Sequence, residues 1–173
     1  HIRNIPVDKL YEYVSPWDDN PQKVWGQTGF WPESAYAPNI TKEYRMKVLA
    51  LAQDRLKMFE DLRGFGYFFA EPEINLELID GNKQLKKLSD SERHELLETA
   101  RHELAKIADW TPESIQNCLN KLLEITGQKP GILFSLIRIA VTWAPFSPQL
   151  NDTLALIDRE HTLARLRNYL DIK

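Results

Sequence analysis

The side chains best spaced for metal chemistry are His94, Glu98 and His102, four and four residues apart in a stretch of helical periodicity. On a helix that spacing puts all three on one face. A zinc ion there would still need a further ligand and hydrogen-bonded partners to orient the imidazoles. The stretch is also a near-repeat, Arg93-His94-Glu95-Leu96 and then Arg101-His102-Glu103-Leu104. It reads more simply as a solvated face with glutamate–cation pairs four apart, each contributing a few tenths of a kcal/mol. No metal site is expected. The sequence also lacks a glycine-rich phosphate loop, a Cys/His zinc spacing and a nucleophile elbow. Its single cysteine, Cys118, excludes an internal disulfide framework and fits a reducing, cytoplasmic setting.

The elements that must position any site are helical. Ile5 to Val14 is a short helix closed by Ser15-Pro16. Trp17 to Asn39 is rich in Pro, Gly and aromatic residues (Trp17, Trp25, Phe30, Trp31) and lacks a period, which predicts a binding loop or short helices. Thr41 caps a long helix to about Leu62, with Val48, Leu49, Ala52, Leu56 and Phe59 in its apolar stripe, and Gly64 and Gly66 end or bend it. Tyr67-Phe68-Phe69 then reads as core. Glu73 to Ile79 alternates apolar and polar residues, but a lone strand has no partner, so an extended linker and a subdomain boundary are expected there.

Beyond it, Ser89-Asp90-Ser91-Glu92 is a capping box that opens a helix to about Ala108. Thr111-Pro112-Glu113 opens the next, and Gly127 stops it. Pro130 starts a helix to about Thr142; Ser147-Pro148 repeats the cap-then-proline signature and starts one to about Ile157; a last helix covers about Arg159 to Tyr169. The fold class is therefore all-α: two small helical subdomains, 1–72 and 73–173, forming a bundle or cage.

At 173 residues, 43% of them hydrophobic and 27% charged, the chain has the composition of a globular domain with a real core. No apolar run approaches the roughly 20 residues of a membrane span. The N-terminus does not read as a signal peptide, and the start at His1 suggests a fragment or a processed chain. A net charge of −3 leans against nucleic-acid binding. Locally the C-terminal stretch is basic, through Arg138, Arg159, Arg165, Arg167 and Lys173.

Five pieces of that stretch form an ordered set: Gly127-Gln128-Lys129-Pro130-Gly131, Leu136-Ile137-Arg138-Ile139-Ala140-Val141-Thr142, Ser147-Pro148-Gln149-Leu150, Leu154-Ala155-Leu156-Ile157-Asp158-Arg159-Glu160, and Leu163-Ala164-Arg165-Leu166. In order and spacing the set resembles the C-terminus of bacterial-type glutamyl-tRNA synthetases. There a Gly-Lys-x-Gly turn precedes a Leu-Arg-x-Ala-Leu-Thr-Gly helix, a proline-containing loop, a leucine-rich helix ending Leu-Gly-Lys-Glu and a terminal helix with an Arg-Leu pair. Upstream, Ile2-Arg3-Asn4, Arg55-Leu56-Lys57 with Phe59, and Trp110-Thr111-Pro112-Glu113 resemble further family segments.

The resemblance implies a class I aminoacyl-tRNA synthetase that ligates glutamate to tRNA(Glu) with ATP and Mg2+. It also implies that the catalytic half, with its His-Ile-Gly-His-type and Lys-Met-Ser-Lys-Ser-type motifs, is not in this sequence. The chain alone is expected not to aminoacylate and to hold no cofactor; its expected partners are the anticodon loop and the parent's catalytic domain. Residues 1–72 would be the anticodon-binding subdomain on the stem side and 73–173 the second. Matched by position, Arg138 takes the place of a base-contacting arginine. Ser147, Pro148 and Leu150 fall in the loop that reads an anticodon base, and Arg55 at an arginine contacting a base from the first subdomain. A guanidinium suits both base edges and stacking.

Two departures stand where the family has glycine: Trp143 and Asp158. Glycine at such helix ends takes a left-handed backbone, which Asp adopts at modest cost and Trp poorly. Either the loop after Trp143 is displaced, or Trp143 offers a stacking surface to a base. Two other readings are a helical protein–protein interaction module and the cage of another class I synthetase, such as the lysyl enzyme.

Overall fold

The structure is a computed structural model that describes residues 1–16, 18 and 29–172. Trp17 and Trp25, and most of the irregular stretch expected around them, lie outside the described residues. Within the described residues all regular structure is helical. The chain divides into two compact units, His1–Pro72 and Glu73–Lys173.

In the first unit, Ile2–Asn4 makes a 3₁₀ turn and helix α1 spans Val7–Val14, starting after Pro6 rather than at Ile5. Leu10, Tyr11 and Val14 of α1 are buried with Trp31, Ala35, Val48 and Leu49. Helix α2, Lys42–Ala52, is capped as expected by Thr41, whose side chain accepts from the Tyr44 N–H. It does not run to Leu62. A 3₁₀ turn at Gln53–Arg55 leads to an extended Leu56 (φ −82°, ψ 125°), and a second 3₁₀ helix covers Phe59–Phe68.

Two side chains account for the break. Gln53 Nε2 donates to the Ile2 and Ile5 carbonyls at 2.8 and 2.7 Å, tying the end of α2 to the N-terminal turn. Asp61 Oδ2 accepts from the Lys57 and Met58 N–H groups at 2.8 and 3.1 Å, restarting the helix three residues later. These backbone hydrogen bonds hold the Asp61 carboxyl below its ordinary range. Gly64 and Gly66 sit inside the second 3₁₀ helix instead of ending the first.

Tyr67, Phe68 and Phe69 are core, as expected, with Phe69 edge-on to Trp31 and Tyr44. A buried polar cluster completes this unit. The Arg45 guanidinium donates to Tyr11 Oη at 2.9 Å and to the Ala35 carbonyl at 3.0 Å, pairs with Asp18 at 3.4 Å and lies over the Tyr36 ring. Tyr11 Oη donates to Asp18. Burial, with that hydrogen bond, pushes the Tyr11 phenol up to about 12, Arg45 pulling the other way; burial raises Tyr36 further.

In the second unit the expected extended linker gives way to a short helix α3, Glu77–Asp80, followed by a 3₁₀ turn at Leu85–Lys87. Five helices follow: α4 Asp90–Ala105, α5 Pro112–Thr126, α6 Pro130–Thr142, α7 Leu150–Ile157 and α8 Arg159–Leu170. Helix α4 opens on the Ser89/Glu92 capping box but stops at Ala105, short of Ala108. Thr111 caps α5, with Pro112 at its first position and Gly127 at φ 68° closing it. Helix α4 packs on α5 and α8, α5 on α7, and α6 on α8. Leu97, Leu104, Leu119, Leu136, Leu154 and Leu166 between them are fully buried, each such side chain stabilising by about 1.5–3 kcal/mol.

Candidate nucleic-acid interface

Helix α6 is buried on most sides: Leu136, Ile137, Ile139, Ala140 and Val141 are all core. Arg138 is half-exposed, its long stem leaving the apolar surroundings toward the α6–α7 loop. There its Nε donates to Ser147 Oγ at 2.8 Å. The Ser147 hydroxyl in turn donates to the Pro148 carbonyl at 2.8 Å, which also accepts from Thr153 Oγ1 at 3.2 Å. At the other end of the loop, Thr142 Oγ1 donates to the Arg138 carbonyl at 2.8 Å and accepts from the Ala144 N–H at 3.2 Å. The loop is thus hydrogen-bonded to its flanking helices at both ends, and Arg138 is held at its mouth.

This corrects the capping role expected of Ser147-Pro148. Helix α7 begins at Leu150 after Gln149, with no side-chain cap. Ser147 is 3% exposed, and its hydroxyl is engaged by Arg138 and Pro148 instead of by helical N–H groups. Of the residues singled out in sequence, Arg138, Ser147 and Pro148 are brought together directly. Pro148 is buried and Leu150 is 5% exposed, so both shape the loop from below. Pro145, Phe146 (53% exposed) and Gln149 are the exposed side chains of the loop. The exposure of Phe146 and Gln149 has no mark in the sequence pattern, because the loop has no periodicity from which to read which side chains face out. Arg55 is exposed at the end of the 3₁₀ turn in the first unit and pairs with neither Asp54 nor Glu60.

Trp143 does adopt the backbone a glycine would, at φ 46°, ψ 39°, and its N–H closes α6 on the Ile139 carbonyl at 2.8 Å. Its indole lies nearly parallel to Tyr169, centroids 5.9 Å apart and planes 16° off. One indole face is therefore taken by a protein ring. Asp158 reaches φ 86°, ψ 167°, and its carboxylate caps α8 on the His161 N–H at 2.8 Å.

The basic C-terminal stretch is mostly structural. Arg165 is buried and donates to the Val141 carbonyl at 3.1 Å, satisfying the last turn of α6. Arg159 donates to the Ile107 and Ala108 carbonyls and lies over Trp110. Arg167 is exposed, and Lys173 lies outside the described residues. The His94, Glu98 and His102 face is occupied in other ways. His94 Nδ1 and Nε2 lie 2.9 and 3.2 Å from the Asp90 and Leu170 carbonyl oxygens. Arg101 bonds Glu98 through Nε and Nη2, holding that carboxyl below its ordinary range. Among the described residues no three His, Cys, Asp or Glu side chains converge, and no helix is long and apolar enough to cross a membrane.

Comparison with known proteins supplies the wider context. A family described as "Anticodon binding domain" matches residues 9–170. The glutamate–tRNA ligase of Chloroflexus aurantiacus is 29% identical over 167 residues, covering 96% of this chain and 31% of that enzyme. The Mycolicibacterium smegmatis glutamate–tRNA ligase is 35% identical over 119 residues, 68% of this chain and 24% of its own length. In three dimensions, a crystal structure of a glutamate tRNA ligase from Elizabethkingia meningosepticum, in complex with its amino acid, aligns with a TM-score of 0.66 at 21% identity. That alignment covers 80% of this chain and 27% of the other, and speaks to the fold. The chain spans less than a third of the Chloroflexus enzyme.

Proposed function

We propose, on the premise that this chain belongs to the anticodon-binding domain family, that it reads the anticodon of tRNA(Glu) through the Arg138 loop of its second unit. The observation that carries this reading is the 2.8 Å hydrogen bond from Arg138 Nε to the buried Ser147 hydroxyl. With Nε engaged, the far edge of the guanidinium has its orientation constrained, which suits fork-like contact with a base edge. Phe146 and Gln149 flank it, offering a ring face for stacking and an amide for base-edge contact. Ser147, Pro148, Leu150 and Trp143 act by giving the loop its shape; Arg55 is the base-contacting candidate of the first unit.

The names of the relatives favour a glutamyl parent over the lysyl enzyme and over a protein–protein module. In the longer cytoplasmic enzyme, glutamate would be ligated to tRNA by the catalytic half. The ATP and Mg2+ of that reaction would be held there, and no residue of this chain is assigned to them.

Filter binding tests the reading. The chain is expected to retain a tRNA(Glu) transcript more tightly than the same transcript with an altered anticodon. Arg138→Ala is expected to reduce that discrimination by about 1–3 kcal/mol, the usual worth of a base contact. A variant that separates the two transcripts as well as the parent does would remove Arg138 from the site.

A further inference from the structure

Four cations free to meet a polyanion lie together elsewhere in the second unit. Lys83, Lys86 and Lys87 are exposed around the 3₁₀ turn after α3, and Lys129 is exposed at the start of α6. The two segments touch: a Cβ added to Gly131 would stand 3.3 Å from Gln84 Oε1, so the first turn of α6 lies directly against the lysine-bearing turn. Asn82 fixes that turn, its Oδ1 accepting from the Gln84 and Leu85 N–H groups at 3.0 and 3.1 Å. None of the four lysines pairs with a carboxylate among the described residues.

Their neighbours and counterparts behave differently. Asp90 is engaged by Arg93, and Asp80 lines the separate pocket beside Tyr169 and Ile172. Lys9, Lys47, Lys106 and Lys121 each lie within 4.0 Å of a glutamate oxygen. In a chain of net charge −3, four uncompensated lysines on two abutting segments form a local concentration of positive charge. The start of α6 adds to it, since Lys129 provides no side-chain cap and the helix dipole is positive there.

We infer that Lys83, Lys86, Lys87 and Lys129 form a phosphate-contacting surface that holds the tRNA backbone, distinct from the base-reading loop at Arg138. The inference rests on the anticodon-binding reading. It separates the two tasks of nucleic-acid recognition, since backbone contacts position while base contacts specify.

The dependence of binding on salt distinguishes them. Each phosphate neutralised by a lysine contributes about 0.7–0.9 to the slope of log K against log salt concentration. In the 173-residue chain, replacing Lys83, Lys86, Lys87 and Lys129 by Gln is expected to lower that slope by about three for a tRNA(Glu) transcript. The ratio between cognate and altered anticodons should stay unchanged. A control replacing Lys9, Lys47, Lys106 and Lys121 by Gln removes the same charge from paired lysines, and its slope should fall by less than one unit. Equal slopes for both quadruple variants, or loss of anticodon discrimination in the first, would overturn the inference while leaving the anticodon reading in place. A parent chain that does not bind the transcript at low salt would overturn both. Circular dichroism checks that each variant keeps the parent's helical content.

Discussion

Asp158 holds a backbone conformation (φ 86°, ψ 167°) that is almost reserved to glycine. For another residue such strain costs about 1–3 kcal/mol. The side chain offsets part of it by capping α8 at 2.8 Å, and glycine in a capping position loses only a few tenths of a kcal/mol against a good cap. Asp158→Gly is therefore expected to stabilise the protein by about 1 kcal/mol, and Asp158→Ala, which keeps the strain and loses the cap, to destabilise it by about as much. Urea midpoints of the two variants would decide; a glycine variant no more stable than the alanine one would show the backbone is not strained. Trp143 is a different case, since its left-handed backbone costs roughly 1–2 kcal/mol and its stack on Tyr169 returns about 0.5–1.5 kcal/mol before burial is added. The sequence marked both positions, because glycine was expected there, but neither alternative it offered for Trp143 included a protein ring as the partner. The stack on Tyr169 has no mark in sequence, because that ring comes from a different helix.

At the scale of elements, local chemistry was easy to read and long-range chemistry was not. The Ser89/Glu92 box, Thr111 with Pro112, and Gly127 each act within a few residues and fall where the sequence puts them. The break at Leu56 left no trace in the pattern, since its apolar periodicity continues to Phe59. It depends on Gln53 reaching carbonyls some fifty residues earlier, at Ile2 and Ile5. Ser147 was misread as a cap for the same reason: its partner, Arg138, belongs to the preceding helix. The buried cluster that binds α1 to α2 is equally invisible in sequence, and it makes a measurable prediction. Tyr11 is raised from 10.0 to about 12, chiefly by burial, and burial raises Tyr36 and Tyr169 too. A phenol whose folded value is raised adds stability that is complete below the ordinary value and is lost as pH climbs through the raised one. Tyr11, Tyr36 and Tyr169 are therefore expected to ionise late in an ultraviolet titration, with the melting temperature falling as pH climbs from about 10 to 12. Ionisation of those three phenols near pH 10 would contradict the cluster.

The whole molecule consists of two units with separate cores, and in the second the helices α4 to α8 bury their leucines against one another. Residues 73–173 produced alone are therefore expected to keep helical circular dichroism and to melt cooperatively; a disordered spectrum would mean that their core depends on the rest of the chain. The family and the all-α class were legible from the ordered motifs of the last third, because they are short-range features that survive substitution. The cationic surface was not, because arginines that look basic in sequence, Arg159 and Arg165, are tied to carbonyls, while the unpaired lysines are scattered between residues 83 and 129. Four unpaired lysines on abutting segments of a chain of net charge −3 also have a kinetic consequence. A polyanion approaching these lysines is drawn in, so the local field favours one orientation before any base is touched. Fewer encounters then need to be abandoned, and the rate of productive association, more than the lifetime of the complex, should be what dilute salt controls.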